Sequence, residues 1–289
     1  MRSRPSLWRR IVLAASLAVA VPIGAITAGA LPTDLSTYVL FAEQSVFVGQ
    51  NSVVIGNVGV NQPNGTGATI GRATVLAGDS DLAAAIVRLN ALSSIDDLFA
   101  NVIQASTTAT VRGATMPFGN APILVLPPLP SFNPGSMNVV VPAGQTTVLP
   151  AGAYGRVLVG EGATLELTGG TYDFRDVLIE NDGALHALAA AEIKIAGNLR
   201  GYNRVSVGAD PNGALPPTDV ELFIRGTGAR FGLAATLSGI FFGSNATFAA
   251  RNALALQGQI VARRIEVHPG AVIGSPTPTP TPTATVAPP

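Results

Sequence analysis

The chain has no cysteine, one lysine among its 17 basic residues (Lys194), and two histidines, His186 and His268. Each shortage excludes a class of chemistry. Without cysteine there is neither a disulfide framework nor a thiolate metal site. Two histidines are too few for a histidine metal cluster. Charged residues make up only 12% of the chain, and no run of them forms a basic stripe for phosphates, so nucleic acid is not an expected partner. Aromatics are also few, leaving Tyr154, Tyr172 and Tyr202 as the candidate sugar platforms, with Tyr172 expected to point inward beside Phe174. The chain carries no nucleotide-binding loop, no G-x-S-x-G elbow and no H-E-x-x-H.

What is abundant is apolar and turn-forming: 47% hydrophobic residues, 32 glycines and 22 prolines in 289 positions. Residues 1–30 begin with Arg2, Arg4, Arg9 and Arg10, continue in an apolar run from Ile11, and end in Ala28-Gly29-Ala30. That order of basic, apolar and small residues predicts a secretory signal peptide cleaved after Ala30. The alternative is an uncleaved anchor, because the apolar run approaches the roughly 18 to 20 residues of a membrane span. No cysteine follows the run, which excludes a lipid-modified N-terminus. After cleavage 13 basic and 17 acidic residues remain, a net charge of about −4, and no membrane association is expected.

From Thr146 to Gly274 the sequence is built of apolar runs three to five residues long, such as Val157-Leu158-Val159, Ile193-Lys194-Ile195 and Leu222-Phe223-Ile224. They are too short for helices, and several alternate as strands do. Leu165, Leu185 and Val205 recur at steps of twenty, as do Val159 and Ile179, while Leu237-Ser238-Gly239 returns as Leu256-Gln257-Gly258 at a step one shorter. That shorter step also carries Phe241 onto Ile260 and Phe248 onto Val267. Three strands and three turns per twenty residues describe one turn of a parallel β-solenoid with glycine corners. An antiparallel sandwich is the competing all-β form, but hairpin signals between longer strands are missing. The fold class expected is therefore all-β, a right-handed parallel β-helix over residues 31–274, with 46–60 as a first coil or cap.

Three segments depart from that pattern. Over 79–105, Leu82, Ile86, Leu89, Ile95, Leu98, Phe99 and Val102 recur at steps of three and four, with Ser80 or Asp81 and Ser94 or Asp96 as caps. This predicts an inserted helical segment covering a flank or end of the solenoid. The proline-rich stretch 122–135 reads as an extended crossover. Residues 275–289, SPTPTPTPTATVAPP, read as a stiff Pro/Thr-rich tail or linker.

Candidate chemistry centres on one acidic group, Asp173, Asp176, Glu180 and Asp182, with Arg175 among them and Glu161 and Glu166 about one coil earlier. Clustered carboxylates of this kind serve polysaccharide lyases and hydrolases. The stacking predicts Glu166 beside His186 and Glu161 beside Asn181. No cofactor is expected, a calcium site around Glu161, Glu180 and Asp182 being the one alternative. A solenoid also exposes such residues at its corners for solvation alone. Gly78-Asp79-Ser80 and His268-Pro269 match elements of GDS-type esterases, but Ile265 stands where that pattern needs an aspartate. Ice binding by a flat solenoid calls for Thr-x-Thr at coil spacing, and within the body only Thr108-Ala109-Thr110 fits. Asn64 and Asn245 head N-glycosylation sequons.

The succession VLPPLPSFNPG, VVVPAGQTTVLPAGAYGRVLVGEGATLELTGGTYDF and LSGIFFGSNATFAARNALALQGQIVA resembles uncharacterised bacterial secreted β-helix surface domains, with a distant likeness to the polymer-forming bactofilin solenoids. The resemblance spans about 45–274 and implies no catalytic residues. It implies a non-enzymatic structural or adhesive protein, secreted or at the cell surface, whose partners are itself or an envelope or extracellular polysaccharide. The alternative is a carbohydrate-binding or polysaccharide-degrading β-helix using Asp173 to Asp182.

Overall fold

A strand of three or four residues has too few neighbours of its own to satisfy its backbone, so it must pair with equivalents above and below. The computed structural model, which describes residues 34–61, 67–117 and 124–274, shows that arrangement throughout. Its strand pairings are parallel, and the chain forms an all-β solenoid of about 11 turns. Each turn has three faces. Face I contains Arg156–Val159 and Asp176–Ile179, face II contains Thr164–Leu167 and Ala184–Ala187, and face III contains Gly170–Phe174 and Ala191–Ile195.

Alternation puts every second side chain inside, where it lies on its equivalent one turn away. On face I, Val157, Val177, Leu199 and Ala229 follow one another in register, each essentially unexposed. The apolar filling of one turn thus becomes the floor of the next, and the core is a continuous column. Aromatic residues widen it locally: Phe248 stands 5.3 Å from Phe231 and 6.0 Å from Phe241 between ring centroids. Tyr172 lies inward, 5.8 Å from Phe174, with its hydroxyl donating to the Leu149 carbonyl at 3.0 Å.

The corner from face I to face II repeats one backbone conformation. Its second residue is left-handed whether or not it is glycine: Gly144, Gly162, Asp182, Arg204, Ala234, Ala253, Gly270, Asn51, Ala73 and Leu92 all have φ between +53° and +78°. Their N–H groups point along the stack, for example Asp182 N–H to the Asn203 carbonyl and Arg204 N–H to the Leu233 carbonyl. The stack imposes the corner even where the residue disfavours it.

Sequence order and spatial order differ. The first turn, entered at Tyr38–Val48, lies inside the stack and not at an end. From it the chain winds outward to Thr115–Met116, then passes to the opposite end and winds back from Val139–Val141. The final turn lands on the first, pairing Leu40 with Ile260, Val48 with Val267 and Val53 with Val272. This seam joins strands from opposite ends of the described chain, and its ladder is continuous but for one register shift between Ala42 and Ser45.

The return passage, expected over 122–135 as an extended crossover, runs over face III in its described part, 124–135. Face III presents an apolar stripe that would otherwise be wet: Phe223, Phe242, Val261 and Phe41 occupy its outward positions in successive turns. Leu124, Leu126 and Leu129 of the strap pack against that stripe. Proline suits a segment that covers a sheet without joining its ladder, since it has no N–H to satisfy. The strap is fixed at both ends. Asn61 Nδ2 donates to the Leu124 carbonyl at 2.9 Å while Leu124 N–H donates to Asn61 Oδ1 at 2.8 Å. At the far end, Asn133 N–H donates to Asp173 Oδ1 at 3.0 Å, and the Arg225 guanidinium lies 5.1 Å from the centre of the Phe132 ring.

Two expectations are corrected. The segment 79–105 contains no helix; it forms Leu82–Ala83, Ile86–Leu89, Ser94–Ile95, Leu98–Phe99 and Val102–Ala105. Its turns are short, so Leu82 pairs with Leu98 and Val87 with Ile103. The steps of three and four join inward residues such as Leu82, Leu89, Ile95 and Leu98 to outward ones, Ile86 and the exposed Val102, so very short strands and tight corners imitate the spacing of a helical face without one. Ser80 is no helix cap either, because its hydroxyl accepts the Gly56 N–H at 2.8 Å. Second, Phe248 pairs with Ile265 and not Val267, because the register shifts between Gly243 and Thr247. Among the described residues the only helical turns are Leu35–Thr37 and Pro217–Asp219, each a short 3-10 turn. The expected signal peptide, the Pro/Thr tail and Asn64 lie outside the described residues, while Asn245 is exposed.

Candidate functional site

The acidic residues singled out from the sequence do not converge. Asp173 is on face III beneath the strap, where it meets Lys194 Nζ at 3.1 Å; both side chains are nearly enclosed. Asp176 is on face I and accepts the Asn198 N–H at 3.0 Å. Glu180 follows the end of the same strand. Asp182 stands at the I–II corner, bound by Arg204 through two hydrogen bonds of 2.6 Å, which hold its carboxyl below the usual range. Each of the three aspartates has a structural partner. Among the described residues no group of three or more His, Asp and Glu side chains is arranged to hold a metal ion.

The expected neighbours Glu166 and His186 do pair across turns, and a further contact accompanies them. His186 Nε2 lies 2.8 Å from Ser206 Oγ, and Nδ1 lies 3.8 Å from Asp210 Oδ1. Burial pushes the imidazole pKa down, against the pull of Asp210 and Glu166, which favours the neutral ring as acceptor from the serine. The outline is that of a nucleophile, base and carboxylate. The remaining requirement is a pair of donors for an oxyanion. Here the Ser206 N–H is committed to the Gly183 carbonyl within the ladder, so the group reads as a lateral tie between turns. Ser80 of the esterase-like motif is likewise enclosed and bonded to Gly56 and Ala77.

Face II carries a feature that no short motif disclosed. One outward row runs, in register from turn to turn, through Thr146, Thr164, Ala184, Ser206, Thr236, Ala255, Val272, Val53, Val75, Ser94 and Thr110. Every member is small or β-branched and uncharged. The second outward row is charged toward the ends, with Glu166 at one and Arg112 at the other. Between them it passes through Gly208, Ser238, Gln257, Gly274, Ile55 and Ala77. The middle of face II is thus a flat, uncharged patch crossing the seam. Its centre is apolar and wet: Val53, Ile55 and Val272 are 37%, 52% and 57% exposed. Gly208 keeps the patch flat, since at φ +119° a Cβ there would collide with the Ser238 carbonyl oxygen.

Face I differs. Arg200 and Arg230 are register partners in adjacent turns, Arg156 lies two turns from Arg200 in register with Asp176, Arg251 follows the end of the strand one turn beyond Arg230, and all four arginines are exposed. They line neighbouring depressions of about 400 and 450 Å³, which Tyr202 helps to wall. Their numbers are far apart and their turns unequal in length, which is why no basic stripe shows in the sequence.

No protein-family model matches the chain, and no curated protein matches it. Among solved structures, the crystal structure of an ice-binding protein from an Antarctic biological consortium aligns with a TM-score of 0.44 and 14% identity, covering 90% of this chain and 97% of that one.

Proposed function

We propose that this is an exported, non-enzymatic adhesive or structural protein of the cell surface or extracellular matrix, a right-handed solenoid that acts by laying a rigid face against a partner. The hand is the one that parallel crossovers favour. The observation carrying the reading is the uncharged middle of face II, where Val53, Ile55 and Val272 stand together in water on adjacent turns. Apolar groups gathered on a flat ladder are a contact surface, and a rigid one loses little conformational entropy on binding. The motifs resembling secreted β-helix surface domains support the same reading. An envelope or extracellular polysaccharide, or a second copy of the chain, is the expected partner.

The test is a polysaccharide panel read for both retention and release of reducing or unsaturated ends. Retention without release supports adhesion. Release that disappears in Asp173→Asn or Asp182→Asn would instead establish the alternative, a polysaccharide-degrading enzyme.

A second reading, adsorption to ice, is favoured by one feature of the same ladder: hydroxyl and methyl groups recur at the turn spacing of about 4.8 Å, near the oxygen repeat of the ice lattice. It predicts inhibition of ice recrystallisation that Thr236→Lys abolishes. Unaltered crystal growth in the presence of the wild-type chain removes this reading and leaves adhesion standing.

A further inference from the structure

The arginines of face I are arranged against their own electrostatics. Arg200 and Arg230 stand directly opposite each other on paired strands, a placement of like charges that weakens a sheet. Among the described residues no hydrogen bond or ion pair reaches the side chains of Arg156, Arg200, Arg230 or Arg251, whereas Arg88, Arg112, Arg175, Arg204 and Arg264 are all partnered. The acids on this face are Asp176, which is the register partner of Arg156 and is bonded to the Asn198 N–H, and Glu266, two turns beyond Arg230; the directly paired Arg200 and Arg230 have no acid as a register partner. The Arg200–Arg230 pair, without an ion pair of its own and set in a depression, concentrates anions at one place.

We infer that face I binds a carboxylate-bearing polysaccharide along the solenoid axis, with Arg200 and Arg230 as its central contacts. Guanidinium groups take carboxylates through paired hydrogen bonds. Two of them one turn apart present charge at a regular step of about 4.8 Å. Tyr202, 53% exposed and lining the depressions on both sides of Arg200, offers an aromatic face to the apolar side of a sugar ring. From the turn of Arg156 to that of Arg251 the four arginines span four turn steps, or about 19 Å, enough for several sugar residues. The flat patch of face II is a separate surface, so this inference stands or falls independently of the adhesive reading.

The experiment measures binding of the full chain to polygalacturonate, with dextran as neutral polymer and double-stranded DNA as phosphate polymer. A chelator is present so that no calcium bridge contributes. Polygalacturonate is expected to bind, to weaken steeply as salt rises, and to be lost at least tenfold in Arg200→Gln/Arg230→Gln. That variant is expected to melt no lower than wild type, because it relieves repulsion and removes no partner. Ile55→Lys, on face II, is expected to leave this binding unchanged. Absence of polygalacturonate binding at low salt, binding unaffected by the double substitution, or equal affinity for DNA would each overturn the assignment.

Discussion

Replacing alanine by glycine normally weakens a folded protein, but at three corners of this solenoid it should do the opposite. Ala73, Ala234 and Ala253 hold φ of +53°, +53° and +63° at the second residue of the I–II corner. An L-residue in that conformation is about 1–2 kcal/mol less stable than in the right-handed region. Glycine removes the penalty and gives back about 0.5–1 kcal/mol through the greater freedom of its unfolded chain. Ala234 and Ala253 are exposed, so their methyl groups contribute little packing. The net expectation is a gain of about 0.5–1 kcal/mol at each site. In a domain of this size that shifts the melting midpoint by about 2–4 °C per kcal/mol, so Ala73→Gly/Ala234→Gly/Ala253→Gly, worth about 1.5–3 kcal/mol together, should melt about 3–12 °C higher. Far-ultraviolet circular dichroism, which reads the β-sheet signal, follows the transition. A triple variant that melts below wild type refutes the claim that the stack forces these corners.

Four further outcomes follow from particular contacts. Asp173→Asn leaves Lys194 enclosed without a counter-charge and is expected to destabilise by about 3 kcal/mol, whereas Asp182→Asn, in an exposed pair, is expected to leave the urea midpoint in place. Leu40→Ala at the seam should cost about 2–5 kcal/mol, and its combination with Ile260→Ala should be non-additive because the two are register partners; strict additivity would argue against the seam. Gly208→Ala should lower the midpoint sharply through collision with the Ser238 carbonyl, while Ala209→Gly should not reproduce that backbone clash. Asp81 is raised to about 6 by burial, then by Asp97, Asp96 and Asp79. Its protonated form is favoured in the fold, so its contribution to stability is complete below about pH 4 and is lost as pH rises through 6. Asp81→Asn should therefore flatten the stability profile between those values, as read by urea midpoints across pH.

The sequence carried the solenoid because its longer turns repeat with little variation. Leu165 over Leu185 and Leu237 over Leu256 are visible as spacings and are true stacks. It misled where turns shorten: the step from Leu82 to Leu98 falls well below twenty, and the very short strands within it imitate a helical face. Spacing alone also missed the bulge after Gly243, which moves Phe248 onto Ile265. The seam was hidden for a different reason, since nothing local tells strand 38–48 that its neighbour is strand 255–267, with nearly the whole solenoid between them in sequence. The surfaces were the least legible. The face II ladder and the four arginines of face I come from turns of unequal length, so their members share a face but no constant period. A search for Thr-x-Thr within one strand cannot find a row that varies among Thr, Ser, Ala and Val across strands. The acidic group, conversely, was compact in sequence and scattered over two faces and a corner in space.

The most direct measurement is adsorption of the full chain from solution onto insoluble uncharged polysaccharide, which offers the arginines of face I no carboxylate, and onto polycrystalline ice, with Ile55→Lys compared at the same concentration and its fold checked by circular dichroism. The adhesive account predicts that the wild-type chain is retained on at least one of these surfaces, that the folded variant is not, and that no reducing ends appear. Retention unchanged by a lysine in the centre of face II, or sugar released into solution, would contradict it.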